Sequence, residues 1–333
     1  MQAAIISLTG CADKGIKMKI AIIDDWQNDA PKSADWQSLA NHHQLDFYQD
    51  TLTGADLVER LAPYDIIGIM RERTPMTRAL LYQLPNLKAI VTSGMRNLSI
   101  DQQAAREKNI MVMGTQSPGH ATAELAMTLI GMLARDIFAN ATSMTQGGWQ
   151  VSTGSDLRGT TLGVLGLGRL GSQIASLGKA YGMNVQAWSQ NLTKDRCDEV
   201  GVQYAPKDVF FQTSDFISVH LKMSDRVRHL IGEAELSMMK PTACLVNTSR
   251  SGIIDSDALI KALKTGSVRA AATDVFDTEP LPSDDILRQT PNLVMTPHIG
   301  YVTSQTMDVF YGQMKEAIEQ FIKGSPVRKF DGF

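Results

Sequence analysis

Three glycines between Thr161 and Gly171 have the types and spacing to hold a phosphate chain. The run Thr161-Leu162-Gly163-Val164-Leu165-Gly166-Leu167-Gly168-Arg169-Leu170-Gly171 reads as an apolar strand, then G-x-G-x-x-G, then a helix predicted from Arg169 to Gly182. In that helix Leu170, Ile174, Leu177 and Tyr181 recur every three or four positions and form one apolar stripe. In such a turn Gly166 permits the tight bend, Gly168 lets backbone approach a pyrophosphate, and Gly171 lets the helix pack close on the strand. The helix start adds unpaired N–H groups and the positive end of its dipole. Arg169 and Leu170 fall within the same loop, so the chemistry indicated is dinucleotide binding. An acid usually ends the second strand and binds the ribose hydroxyls. Here that strand reads Val185-Gln186-Ala187-Trp188-Ser189-Gln190-Asn191, with Ser189 at the acid's place. A carboxylate would repel the extra phosphate of NADP, whereas serine does not; Lys194 or Arg196 could add charge. Ser189 could equally bind ribose hydroxyls as a neutral group, so both NAD(H) and NADP(H) stand as cofactors.

A second set of residues lies just after successive predicted strands, the edge where open parallel sheets bind ligands. Asn247-Thr248-Ser249-Arg250 follows one strand, Asp274 to Pro280 the next, and Thr296-Pro297-His298-Ile299-Gly300 the one after. Hydride transfer to a keto acid needs a cation for the carboxylate, a proton donor for the oxygen and a group that orients the donor. Arg250 offers a planar fork that matches a carboxylate. His298 is the side-chain type that exchanges protons near neutral pH, and Glu279 beside it would favour the protonated ring. Taken singly, each has an ordinary alternative: a surface ion pair, a turn residue before Pro280, a loop histidine. Their common placement on one sheet edge argues for a shared site.

The elements that must position these groups alternate along the chain. Strands are predicted at 18–24, 44–49, 65–70, 87–92 and 110–114, and again at 161–166, 184–188, 215–220, 243–248, 270–275 and 293–296. Helical stretches separate them, which predicts α/β architecture with two doubly wound parallel sheets. A helix is expected after Asp255 or Ser256, either able to cap it, with Gly266 to end it. One long helical stretch at 120–146 is apolar on nearly every side and needs cover, from a second subunit or from packing between domains. The last helix, about 303–323, carries Met307, Phe310, Met314, Ile318 and Phe321 on one stripe.

Composition bounds the rest. A chain of 333 residues has length for two domains, and a formal charge of −3 gives no electrostatic reason to expect nucleic acid or an acidic membrane as partner. Cys11, Cys197 and Cys244 are too far apart for a metal site or a disulfide framework, so no metal and a reducing, cytoplasmic setting are expected. No apolar run is long enough to cross a bilayer. Met18-Lys19-Ile20-Ala21-Ile22 looks like a chain start entering a strand, so residues 1–17 read as an arm or, alternatively, an added strand from Ala3 to Leu8.

The segments GLGRLG at 166–171, LVNTSRSGIIDSDALIKAL at 245–263, ATDVFDTEP at 272–280 and TPHIG at 296–300 closely resemble the D-isomer-specific 2-hydroxyacid dehydrogenase family. The resemblance runs from about 65 to 303. It implies a flavodoxin-like substrate domain near 18–118 plus 302–333, a Rossmann cofactor domain at 119–301, and a cleft between them. It implies Arg250, Glu279 and His298 as the catalytic group and Asp274 as the nicotinamide carboxamide partner. His220, Thr248 and Ser249 join the candidate cofactor residues. The substrate-carboxylate loop carries over to Ser93, Gly94, Met95 and Arg96; Met95 and Arg96 depart from the family's small residues, and Tyr301 departs just past the catalytic loop. The resemblance further implies a homodimer joined partly through the 120–146 stretch. The substrate it implies is a small D-2-hydroxy or 2-keto acid, glyoxylate- or hydroxypyruvate-like or 3-phosphoglycerate-like. A formate-oxidising branch is disfavoured because it lacks the Glu partner. A non-catalytic NAD(H)-sensing scaffold of the same fold is the alternative from another class.

Overall fold

The computed structural model describes residues 17–333. The arm or added strand expected at 1–17 lies, apart from Lys17, outside the described residues, as does Cys11. The chain divides into two compact units: the chain up to Pro118 together with Val302–Phe333, and Gly119–Tyr301.

The first unit is built on a five-stranded sheet, β1 (Lys19–Ile22), β2 (Gln44–Phe47), β3 (Ile66–Ile69), β4 (Ala89–Thr92) and β5 (Met111–Gly114), ordered β2-β1-β3-β4-β5. All pairs are parallel, with Ile20 opposite Ile66 and Ile66 opposite Ala89. Every residue of β3 and β4 is buried, because helices cover both faces of a central parallel strand. The Ser304–Ile322 helix belongs to this unit. Thr303 caps it, and Met307, Phe310, Tyr311, Met314, Ala317 and Ile318 are buried while Phe321 is only half-buried. Burying a side chain such as Phe310 contributes about 1.5–3 kcal/mol. The Tyr311 hydroxyl donates to the buried Asp25 at 3.0 Å, fastening this helix to the end of β1.

The second unit carries seven parallel strands. These are β6 (Thr161–Leu165), β7 (Asn184–Trp188), β8 (Gln203–Tyr204), β9 (Phe216–Val219), β10 (Cys244–Asn247), β11 (Ala270–Thr273) and β12 (Leu293–Met295). Their order is β12-β11-β10-β9-β6-β7-β8. The chain order reverses at β6, which pairs with β7 on one side and β9 on the other. The crevice beyond the carboxyl ends of such strands is the usual ligand position. Edge strand β8 was not expected, since two exposed residues carry no periodic signal. The helix Ser256–Thr265 is capped by Asp255, whose carboxylate accepts from Ala258 N, and ends at Gly266.

Two helices differ from what the sequence pattern predicts. The stretch 120–146 is two helices, Ala121–Ala134 and Ile137–Thr145, broken at Asp136, whose φ is +46°. Arg269 holds the break, donating to Leu133 O at 2.8 Å and pairing with Asp136 at 3.1 Å. The cover needed by the first helix comes from its own unit: Ala126, Met127, Leu129, Ile130 and Leu133 pack in one core with Leu162, Val164 and Ile174. The Arg169–Ala180 helix buries a different stripe from the one its large apolar residues predict. Its buried residues are Gly171, Ile174, Ala175 and Gly178, whereas Tyr181 is exposed. Small residues face the sheet because the helix lies close to it. Among the described residues, no helix is long and apolar enough to cross a membrane.

Candidate active site

The dinucleotide loop follows directly from β6. Gly166 has φ +98°, and a Cβ there would lie 2.9 Å from His220 O. At Gly171 a Cβ would lie 1.9 Å from Gly166 O, so the first turn of the helix rests on the loop backbone with no room for a methyl group. A Cβ on Gly168, by contrast, would enter open space. Gly168 is the N-cap of a 12-residue helix, so this open side adjoins its N–H groups and positive dipole end. Around the loop, His220 Nδ1 and Thr248 Oγ1 are buried without a hydrogen-bond partner among the described residues. Open space over a helix start and polar atoms awaiting partners fit a dinucleotide. His220 Nε2 meets Ser218 Oγ at 2.8 Å, and burial pushes the ring's pKa down to about 4, so it is neutral near pH 7. Ser249 Oγ donates to Val219 O at 2.7 Å, tying the ends of β9 and β10 together.

At the end of β7, Ser189 is half-buried and Gln190 donates to Arg226 O at 3.2 Å. Of the two cations named beside Ser189, Lys194 pairs with Asp198 at 2.7 Å. Arg196 instead reaches the loop: its Nε lies 3.4 Å from Leu167 O and its Nη2 3.0 Å from Ser172 Oγ, with Glu199 on Nη1 at 2.9 Å. The guanidinium therefore borders the first turn of the glycine-led helix. Arg169 folds its guanidinium against Gly119.

Arg250, Glu279 and His298 all lie in the second unit, beyond β10, β11 and β12. Asn247 shapes the Arg250 turn, accepting from Ser249 N at 3.0 Å and donating to Arg250 O at 2.9 Å. This is an Asx arrangement, in which a short amide side chain replaces backbone bonds. Glu279 Oε1 accepts from Phe276 N at 2.9 Å, and Oε2 lies 2.5 Å from His298 Nδ1. Burial alone would raise the Glu279 carboxyl. The hydrogen bond and charge of His298, the Phe276 N–H and the charge of Arg250 outweigh it and hold the carboxyl below its ordinary range. His298 and Arg250 thus both act electrostatically on Glu279.

Asp274 has a role that the sequence did not reveal. Its Oδ1 accepts from Thr296 Oγ1 at 2.6 Å and Ile299 N at 2.8 Å, and its Oδ2 from Gly300 N at 2.8 Å. Burial raises its pKa against these bonds. Gly300 O in turn accepts from Thr122 Oγ1 at 2.9 Å. This clamp holds the loop on which His298 takes a left-handed φ of +52°, a conformation that costs energy in any non-glycine residue. The backbone donors to Asp274 carry no side-chain signature, and Thr122 is remote in sequence.

In the first unit, Ser93 Oγ accepts from Arg71 N at 2.8 Å and Gly94 N donates to Thr115 Oγ1 at 2.9 Å. Asn97, buried, bonds to Arg71 O and Thr92 Oγ1 and accepts from Ser99, which shapes the loop. Met95 and Arg96 are exposed at its tip.

A seven-stranded parallel sheet with its order reversed at a glycine loop, and an Arg, Glu and His on the same edge, are the features of a dinucleotide-binding α/β domain. Residues 126–300 match the model of the D-isomer specific 2-hydroxyacid dehydrogenase NAD binding domain. The chain is 35% identical to a hydroxypyruvate reductase of Thermotoga maritima, over 81% of this chain and 88% of that protein. It is also 35% identical to a D-3-phosphoglycerate dehydrogenase of Methanocaldococcus jannaschii, over 82% of this chain and 52% of that protein, so it spans about half the length of that relative. The structure of a phosphoglycerate oxidoreductase from Vibrio cholerae o395 superposes with a TM-score of 0.87 at 33% identity, covering 92% of this chain and 99% of that one. The chain belongs to the D-isomer-specific 2-hydroxyacid dehydrogenase family.

Proposed function

We propose that this protein interconverts a small D-2-hydroxy acid and its 2-keto acid with NAD(H) or NADP(H), using Arg250, Glu279 and His298. The observation that carries the reading is the bond between His298 Nδ1 and Glu279 Oε2, at 2.5 Å, on the sheet edge that also bears the glycine loop. Arg250 holds the substrate carboxylate through its planar fork. The glycine loop at Gly166, Gly168 and Gly171 would hold a reduced dinucleotide, which when bound would supply the hydride for the keto carbon. The proton for the keto oxygen comes from His298 Nε2, on the far side of the ring from Glu279. Glu279 fixes the ring's orientation and compensates its charge while it is protonated. In the oxidative direction His298 takes the hydroxyl proton back.

Gly166, Gly168, Arg169, Leu170 and Gly171, with Ser189, Gln190, His220, Thr248, Ser249 and Asp274, form the proposed cofactor group. Ser93, Gly94, Met95 and Arg96 are the substrate-carboxylate candidates of the first unit. Names of relatives point to glyoxylate, hydroxypyruvate and 3-phosphoglycerate as the substrate range. A homodimer is supported by the exposed apolar side chains Ile137, Phe138, Met144 and Trp149 on and after the second half of the broken helix. A cytoplasmic setting is supported by Cys197 and Cys244, both free and buried.

The test is dinucleotide oxidation with NADH and NADPH against glyoxylate, hydroxypyruvate, 3-phosphohydroxypyruvate and longer 2-keto acids. Turnover of at least one is expected. Tight dinucleotide binding without turnover of any would replace this reading with that of a nicotinamide-sensing scaffold.

A further inference from the structure

His298 is held in place from more than one side. Glu279 grips Nδ1, and the Asp274 clamp fixes the backbone at Ile299 and Gly300. Tyr301 adds an aromatic contact with the imidazole: the two ring centroids are 5.7 Å apart and the planes stand at 76°. Edge-to-face contacts of this kind are favourable at centroid separations of about 4.5–7 Å, beyond the area that they bury. Gly300 lies between the clamp and Tyr301, with its N–H on Asp274 and its carbonyl on Thr122, so the tyrosine leaves a rigid backbone. The left-handed φ of His298 persists only if its surroundings over-determine it.

We infer that Tyr301 is a positioning residue for the proposed proton donor: its ring, as an aromatic wall, keeps the imidazole plane aligned so that Nε2 points to the reacting oxygen. The inference rests on the proposed role of His298. It separates two functions within one short segment, chemistry at His298 and ring alignment at Tyr301. A residue of this kind acts on the turnover step more than on substrate affinity, because misaligning a proton donor weakens an interaction made in the transition state. The aromatic ring is the working part, so phenylalanine should serve and a small side chain should not.

The experiment compares wild type, Y301F and Y301A. Steady-state kinetics with the best keto acid should give Y301A a kcat lower by about tenfold or more with KM within about threefold, and Y301F a kcat within about threefold of wild type. The independent readout is the imidazole N–H signal of the 15N-labelled protein without substrate, identified by its loss in H298A. The downfield Nδ1–H resonance of the His298–Glu279 bond should persist in Y301F and broaden or move upfield in Y301A. Should Y301A not fold, Y301L, which keeps bulk without a ring, takes its place with the same expectation. A loss confined to KM, a Y301F as impaired as Y301A, or an unchanged N–H signal in the small variant would overturn the inference. Failure of wild type to reduce any keto acid, with the N–H signal still lost in Y301A, would overturn the proposed function while leaving the alignment role standing.

Discussion

Glu279 Oε2 and His298 Nδ1 meet at 2.5 Å although 19 residues separate them in the chain, and each reaches the pair from the end of a different strand. Removing the imidazole should cost more than removing its partner. H298A should lower kcat/KM by at least about a hundredfold, and E279Q by about 10–100-fold, in steady-state assays at pH 7. The pair also makes a pH signature. The folded Glu279 carboxyl titrates below its ordinary range, so the stability it adds is present above the unfolded pKa and is lost as pH falls through the folded value. Thermal unfolding of wild type and E279Q should therefore differ at pH 6 and converge only as the pH falls below the ordinary carboxylate range. A gap that widens in acid would refute this.

Gly168 and Gly171, two glycines in one short loop, should respond oppositely to the same methyl group. G171A places a Cβ 1.9 Å from a backbone oxygen that cannot retreat, and should destabilise the fold by more than about 2 kcal/mol. G168A adds its Cβ to open space, and should keep the wild-type melting temperature while weakening dinucleotide binding at least about tenfold. Calorimetry and fluorescence titration separate the two effects.

Cofactor choice should turn on Ser189 and Arg196. A carboxylate at 189 would repel a 2′-phosphate, so S189D should shift the NADH-over-NADPH preference at least about tenfold toward NADH. Arg196 borders the loop through Leu167 O and Ser172 Oγ. R196Q should weaken NADPH about tenfold and leave NADH nearly unchanged; equal weakening of both would assign Arg196 to the loop's structure instead.

Asp24 offers a test in the first unit. It is 1% exposed, and burial, opposed by Thr74 and Arg73, raises its pKa to about 6. A folded pKa above the unfolded one means that stability held by the protonated form is lost as pH rises through about 6. Wild type should lose about 1–3 kcal/mol between pH 4.5 and 8, relative to D24N, in denaturant titrations. Asparagine suits the left-handed φ of +65° found there. Parallel pH profiles for the two proteins would count against the assignment.

The exposed side chains of Phe138 and Trp149, 61% and 69% accessible, should be covered in the proposed dimer. F138E combined with W149E should shift sedimentation from dimer to monomer at micromolar concentration while preserving the melting profile of each unit. A wild-type monomer would place the dimer proposal in error.

Local signals in the chain determined much of this protein. Eleven strands could be placed because the inner strands of a parallel sheet, covered on both faces, read as nearly continuous apolar runs and turn or polar residues bound the others, and the glycine loop could be placed because no other residue tolerates its turn and its packing. Arg250, Glu279 and His298 stood out because each follows a strand on the edge where parallel sheets hold ligands. Tertiary structure alone decided what no local pattern encodes. The break at Asp136 depends on Arg269, more than a hundred residues away, and the true buried face of the Arg169–Ala180 helix depends on how closely it approaches the sheet. The clamp of Asp274 on Ile299 and Gly300 uses backbone N–H groups that every residue but proline possesses. The contact of Tyr301 with His298 depends on where that clamped backbone turns. Such features arise from groups brought together by folding, and their partners are named only once the distances are known.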